Sequence, residues 1–390
     1  MPRLLHMADI HLGARHHDLG DVAAKQRERQ FAAFSRAIDA AIERRVDAVL
    51  ICGDLFDSNA QPRRSVERAA GELARLAERQ IRAVLIPGTH DCYDPASIYR
   101  TFDLRALAGL PADSDLLTVL TPELPSVHFR ELEMEVHGPV FPAKSSARSP
   151  LEGFRAGAAQ PAAYQVGMIH GSLRVEGKVT SDDVLFTADE IAASGLNYLA
   201  LGHWHSLLQG RSGGTVWAYP GAPEPVALDQ DGAGHVLLVT IDGPAGAPSV
   251  QVEPVAVGRT RFQRLDVDVA SIASQDDLCR RLTDLADPDL VLDVRLLGVV
   301  PDGLDLDADE VGRQLRERFF RFRLRDTTVA ALPDDPLPPE GTIPGFLARD
   351  LRRRISAAEA AGTDDVAAET REALQLLRIL LDDPKRVTLV

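Results

Sequence analysis

Five apolar runs in the first part of the chain each lead into a histidine or an aspartate. The runs are Arg3–Ala8, Asp47–Cys52, Arg82–Ile86, Gln165–Ile169 and Tyr198–Leu201. After them come Asp9-Ile10-His11, Gly53-Asp54-Leu55-Phe56-Asp57, Gly88-Thr89-His90-Asp91, His170-Gly171 and Gly202-His203-Trp204-His205. Short runs of this kind fit strands buried on both faces. Between the first and second, Phe31, Phe34, Ile38, Ala41 and Ile42 recur at helical spacing. Val66, Ala69, Leu73, Leu76 and Ala77 do the same between the second and third. Alternating strands and helices predict a layered α/β domain. Ligands of open α/β sheets bind at the carboxyl ends of the strands, so these acids and histidines should converge on one sheet edge.

The residue types point to a cation. Asp9-x-His11 and His203-x-His205 put two donors on one side of an extended segment. Imidazole mixed with carboxylate suits Mn²⁺, Fe²⁺ or Zn²⁺ better than Mg²⁺ or Ca²⁺, which favour all-oxygen shells. Gly53, Gly88, Gly171 and Gly202 are expected to let the backbone turn and to leave room for a substrate.

Taken in order, Asp-x-His, Gly-Asp-x-x-Asp, Gly-x-His-Asp, His-Gly and Gly-His-x-His resemble the calcineurin-like metallophosphoesterase superfamily. The total length, the later α/β segment and Ala218-Tyr219-Pro220-Gly221-Ala222-Pro223 narrow the resemblance to SbcD-type DNA repair nuclease subunits, in particular the YhaO-like branch. The motifs cover roughly residues 3 to 241. The resemblance implies an α-β-β-α sandwich with a smaller α/β capping domain and a C-terminal helical tail. It implies two divalent ions, Mn²⁺ first, with Fe²⁺, Zn²⁺ or Mg²⁺ as alternatives. Asp9, His11, Asp54 and His205 would hold one ion; Asp54, His170 and His203 would hold the other, with Asp54 bridging. His90 would face the scissile phosphate, and Asp57 would orient its ring. The family's Asn ligand is Thr89 here. Thr89 could ligate weakly, a water could fill the gap, or the second ion could be held loosely. The implied activity is hydrolysis of DNA phosphodiesters. Two alternatives stay open: a phosphodiesterase or phosphatase of small nucleotides, and a weakly active scaffold that binds DNA or an ATPase. The implied partners are DNA, an SMC-like ATPase contacted by the C-terminal helices, and a second copy of the chain; packing of those helices back on this chain, or between two copies, is the plain alternative.

Downstream, Thr215–Tyr219 and Val236–Ile241 read as strands, and residues 244–248 as a boundary region. From Phe262 to Val329 the pattern is strand, helix, strand, helix, strand. The expected divisions are a catalytic domain over 1–258, the capping domain over 259–330, a Pro-rich linker over 331–341 and a helical tail over 342–390. Residues 144–163 read as an exposed loop around a short helix. Arg313, Arg316, Arg318, Arg321, Arg323 and Arg325 form the densest basic cluster, opposed only by Glu317. Arg313, Arg316, Arg321, Arg323 and Arg325 are candidates for phosphate contact, with a solvated face as the plain alternative.

Several residues have plainer readings. His6, His128 and His137 lie within strand patterns and suit packing or surface roles. His16 and His17 are secondary candidates for approach to a substrate. Asp91 suits a helix cap, Cys52 a small core residue, and Trp204 packing at the site edge. Cys92 stands beside the third motif, where nothing in the sequence marks it as reactive. The chain carries 58 Asp+Glu against 43 Lys+Arg, a net charge of −15. That excludes coating of nucleic acid by bulk attraction and leaves room for a local, metal-dependent grip. Three cysteines, no apolar span of membrane length and no apolar signal segment predict a cytoplasmic protein.

Overall fold

Two six-stranded sheets build the first 260 residues. The computed structural model describes residues 1–157, 162–175, 177, 179, 181–228, 230, 232–244, 248–301, 303–330 and 337–382. It divides into two units, Met1–Thr260 and Arg261–Val390. Sheet one runs Ser249–Ala256, His235–Asp242, Arg3–Met7, Ala48–Cys52, Arg82–Ile86, Leu117–Val119. Its last four strands are parallel. Sheet two runs Leu208–Ser212, Thr215–Tyr219, Tyr198–Gly202, Tyr164–His170, Met134–His137, Ser126–Phe129. Its four central strands are parallel.

Side-chain alternation in Arg3–Met7 sets the layers. Leu5 and Met7 join the helices Ala23–Glu43 and Arg63–Ala77 in one core, with Phe34, Ile38, Val66 and Leu73. Leu4 faces the second sheet and packs in a core with Val166, Met168, Tyr198 and Ala200. His6 lies on that same face, fully buried. Its Nδ1 is 2.8 Å from the Tyr198 hydroxyl and its Nε2 is 3.1 Å from the Leu201 carbonyl. Both ring nitrogens are thus satisfied between the sheets, which removes most of the cost of burying a polar ring. The outer face of sheet two is covered by a thinner layer: Leu151, Ile191 and Leu196, with Trp217 and Tyr219. These layers are the expected α-β-β-α sandwich.

Two local expectations are corrected. Residues 244–248 are no domain boundary, because the strands flanking them pair antiparallel from Asp242↔Ser249 to His235↔Ala256; residues 245–247 lie outside the described residues. The division falls after Thr260. Residues 144–163 contain no helix among the described residues, and Leu151 is buried beneath the loop. Leu208–Ser212 carries one large apolar residue and Leu117–Val119 is only three residues long, so neither is legible in the sequence.

The second unit has a three-stranded parallel sheet, Arg261–Asp268, Leu290–Leu297 and Arg321–Asp326, with Leu290–Leu297 central. Helices Gln275–Thr283 and Ala308–Leu315 cover one face through Leu278, Leu282, Val311 and Leu315. Helices Ile343–Ala360 and Asp364–Asp382 pack on each other, and the latter also touches the strand Val299–Val300. The tail therefore packs back on this unit. Ile343, Phe346 and Leu347 nonetheless stay exposed. Of the expected Pro-rich linker, residues 331–336 lie outside the described residues. Among the described residues no helix is long and apolar enough to cross a membrane.

Candidate metal centre

The predicted ligands meet where the parallel strands of both sheets end. The first two loops are zipped together by backbone hydrogen bonds: Asp9 N–H to Gly53 O (3.2 Å), His11 N–H to Asp54 O (2.9 Å) and Asp57 N–H to Leu12 O (3.1 Å). Asp9, His11 and Asp54 all have positive φ, at 54°, 50° and 51°. Left-handed backbone at non-glycine residues is costly and clusters at functional sites. Here it turns three donors inward within one buried edge; Asp9, His11 and Asp54 are at most 3% exposed.

Two glycines make this approach possible. A Cβ on Gly88 would stand 2.2 Å from Asp54 Oδ1 and 2.5 Å from Asp54 N. A Cβ on Gly202 would stand 2.0 Å from Cys52 O. The room they leave is taken by neighbouring ligand loops rather than by substrate, which corrects the earlier expectation. Asp91 is not a helix cap. It is fully buried and accepts from Gly88 N–H (2.7 Å), Phe56 N–H (3.1 Å) and the Tyr99 hydroxyl (2.6 Å), so it fastens the second loop to the third.

Among the described residues, three groups each bring their donor atoms within 4.8 Å of one another: Asp9, His11 and His205; Asp9, Asp54 and His170; and His11, Asp57 and His90. Asp54 Oδ2 sits between two imidazoles, 3.2 Å from His170 Nε2 and 3.8 Å from His11 Nε2. Its other oxygen accepts from His90 N–H at 2.8 Å. His11 Nε2 and His205 Nε2 face each other at 3.1 Å. The Thr89 hydroxyl is buried and reaches Asp54 Oδ2 at 3.5 Å, so it lies at the edge of the group. His203 is in none of the three groups. Its N–H donates to both oxygens of Asp9 at 3.0 Å, and its ring Nε2 lies 3.2 Å from Asp182. Its ring centroid is 5.2 Å from that of His170.

The donor set fits a cation. His11 Nδ1 and His170 Nε2 are buried, and neither makes a hydrogen bond of acceptable geometry. Carboxylate oxygens stand nearby, at 3.4 Å (Asp57) and 3.2 Å (Asp54), close in charge but poorly aligned. Buried polar atoms are otherwise almost always partnered. Burial lowers the pKa of His170, but Asp54 and Asp9 outweigh it and raise it to about 10. His11 moves up in the same way: burial opposes, and Asp57, Asp54 and Asp9 prevail. Burial also works against the Asp54 charge, yet His170 and His11 hold its pKa well below the carboxylate range. The pocket thus calls for positive charge, supplied by protons or by metal ions. Cys52 O accepts from His170 Nδ1 at 2.8 Å, which leaves Nε2 as the free donor atom.

Asp57 and His90 differ from expectation in detail. The His90 ring is oriented by the Asp57 backbone carbonyl, 3.0 Å from Nδ1, while the Asp57 carboxylate is 3.9 Å away and nearer His11. The His90 side chain is 45% exposed, the most open of the group. His16 is buried and bonded to Gln30 Oε1 at 2.7 Å, which removes it from substrate contact. Burial raises the Cys92 thiol, so it is not activated. Trp204 stacks on Tyr219 at 4.8 Å, as edge packing requires. Sequence reading missed Asp182 and Gln230; the Gln230 amide nitrogen is 2.5 Å from His205 Nδ1. Neither follows a strand or belongs to a motif, so no local signal marks them.

In the second unit the arginine cluster splits. Phe322 and Leu324 face the helices, so Arg321, Arg323 and Arg325 lie on the opposite face of the sheet. The register places Arg264, Asp293 and Arg323 in one row and Asp266, Arg295 and Arg325 in the next. Arg325 pairs with buried Asp293 at 3.0 Å and Arg295 with Asp266 at 2.6 Å. Arg313 is on the covering helix, paired with Glu310 at 2.6 Å, and Arg316 is in the turn after it.

Fold and site together define a phosphoesterase of the metal-dependent kind. Residues 2–207 match the calcineurin-like phosphoesterase family, and the chain belongs to it. That family implies divalent metal ions, and the His and Asp groups above are positioned to bind them. The chain is similar to the DNA double-strand break repair protein Mre11 of Aeropyrum pernix, 30% identical over 279 residues (69% of this chain, 64% of that protein). It is similar to the uncharacterized metallophosphoesterase YhaO of Bacillus subtilis, 26% identical over 253 residues (61% and 57%). It also aligns with Mre11 of Methanopyrus kandleri at 25% identity over 396 residues, 98% of this chain and 83% of that protein. The chain spans less than two thirds of the length of the first two relatives.

Proposed function

We propose that the chain is a DNA nuclease using two divalent ions, Mn²⁺ first, and serves as the nuclease subunit of an SbcC/SbcD-like repair complex. The carrying observation is the position of Asp54: its Oδ2 lies between His170 and His11, with Asp9 shared by two neighbouring donor groups. Asp9, His11, Asp54 and His205 would hold one ion, and Asp54, His170 and His203 the other, with Thr89 beside Asp54. When bound, two such ions would supply water activation and charge stabilisation for an in-line phosphoryl displacement. The chain's own residues do the rest. His90 stands open to solvent with Nδ1 tied to the Asp57 carbonyl, so the proton it exchanges with a leaving alkoxide sits on Nε2. Cys52 O orients the ring of His170, and the Asp57 carboxylate supplies negative charge beside that of His11. DNA as substrate is supported by the names of the Mre11 relatives and by the arginine face of the second unit. In this reading Ile343, Phe346 and Leu347 contact an SMC-like ATPase, and two copies of the chain pair through the catalytic domain.

The test is Mn²⁺-dependent digestion of labelled single- and double-stranded DNA, with bis-p-nitrophenyl phosphate as a generic ester. Wild type should cut DNA, and His90→Ala should lose about 10²–10⁴-fold in rate while keeping its metal. Cleavage of the generic ester alone would overturn DNA as substrate. Binding of DNA with no turnover of either would overturn the enzyme.

A further inference from the structure

The histidine left outside the three donor groups has a partner of its own. Both oxygens of Asp182 lie 3.2 Å from His203 Nε2. Asp182 is itself held: Asp183 N–H donates to Oδ1 at 2.7 Å, and the Ser172 hydroxyl donates to Oδ2. Ser172 is fully buried and accepts from the Trp204 indole N–H at 2.7 Å. A chain of hydrogen bonds thus leaves the His203 ring, passes through Asp182 and Ser172, and returns to Trp204, the residue next to His203. Asp182 is 27% exposed and His203 19%, so the pair is half-buried and partly shielded from competing water. An ionised carboxylate only accepts, so it fixes the proton of a neutral imidazole on the nitrogen it faces.

We propose that Asp182 is a positioning residue: it holds His203 with its proton on Nε2 and so keeps Nδ1 free as the nitrogen offered to a cation. This rests on the reading of His203 as a metal ligand. Ser172 and Trp204 brace the carboxylate. They make the orientation of His203 depend on Ser172 and Asp182 as well as on its own loop.

Two measurements test it, using Asp182→Ala and the conservative Asp182→Asn in the full chain. In metal-free, histidine-labelled protein, the His203 Nε2–H should appear as a slowly exchanging imidazole proton resonance. It should vanish in Asp182→Ala and weaken in Asp182→Asn. Mn²⁺ titration followed by electron paramagnetic resonance should then show the weaker of two sites losing about 10–100-fold in affinity in Asp182→Ala, with the tighter site within about twofold of wild type. A resonance that persists in Asp182→Ala overturns the contact. A lost resonance with unchanged Mn²⁺ affinity overturns the positioning role and leaves the metal reading standing. Wild type that shows the resonance but takes up no Mn²⁺ overturns the metal reading beneath it.

Discussion

A single methyl group at Gly88 should dismantle the centre. The Cβ of Gly88→Ala would stand 2.2 Å from Asp54 Oδ1 and 2.5 Å from Asp54 N, when ordinary contact begins at 3.4 Å. The carboxylate could swing aside, but the backbone nitrogen cannot, so the third loop must move by about 1 Å. That motion breaks the 2.8 Å bond from His90 N–H to Asp54, and a carboxylate that swings aside loses its 3.2 Å approach to His170. Overpacking of this kind costs about 1–3 kcal/mol, or roughly 2–10 °C in melting temperature for a domain of this size. Misplacing reacting groups by about 1 Å costs on the order of 10²-fold in rate. The comparison is Gly71→Ala: Gly71 lies inside the helix Arg63–Ala77 with nothing within 4 Å of its Cβ direction. That change should stabilise by up to about 1 kcal/mol. Melting curves, Mn²⁺ titration and hydrolysis of bis-p-nitrophenyl phosphate on both variants make the assay. Wild-type Mn²⁺ affinity and turnover in Gly88→Ala would refute the claim that the ligand loops are packed to contact.

Other outcomes follow from the same structure. Burial lowers the His6 pKa to about 3, from 6.5. The unfolded chain therefore binds a proton that the folded chain refuses, and stability present above pH 6.5 is lost as pH falls towards 3. At pH 5 this loss is about 2 kcal/mol. His6→Gln should flatten the dependence of urea midpoint on pH over that window; an unchanged slope would mean His6 titrates normally. Charge reversal of Arg321, Arg323 and Arg325 together should weaken DNA binding and lower the slope of log affinity against log salt by up to about 3. The same slope in the variant would remove that face from the DNA contact.

Much of this was legible because the candidate ligands follow buried strands. Apolar runs announce such strands, and the sheet then brings their ends together. Short edge strands were less visible: Ser249–Ala256 alternates apolar and polar residues and contains Pro254, which an edge tolerates because only one side must pair. Supporting residues were the least visible. Asp182 and Gln230 reach His203 and His205 from loops, and such a contact depends on tertiary placement that no local pattern encodes. The same holds for the choice between the Asp57 carbonyl and carboxylate at His90, two groups of one residue. Arg264 and Arg295 joined the arginine face only once the parallel register was known.

The three bonds to Asp91 have a kinetic consequence. One carboxylate holds Phe56 N–H from the second loop, Gly88 N–H from the third and the Tyr99 hydroxyl from the helix beyond. Neither loop can open without stranding a buried, hydrogen-bonded carboxyl group, so the two must unfold as one cooperative segment. Their amides should share a single opening rate in hydrogen exchange. A cation that binds across them would slow both to the same degree, however unequally the two loops contribute ligands.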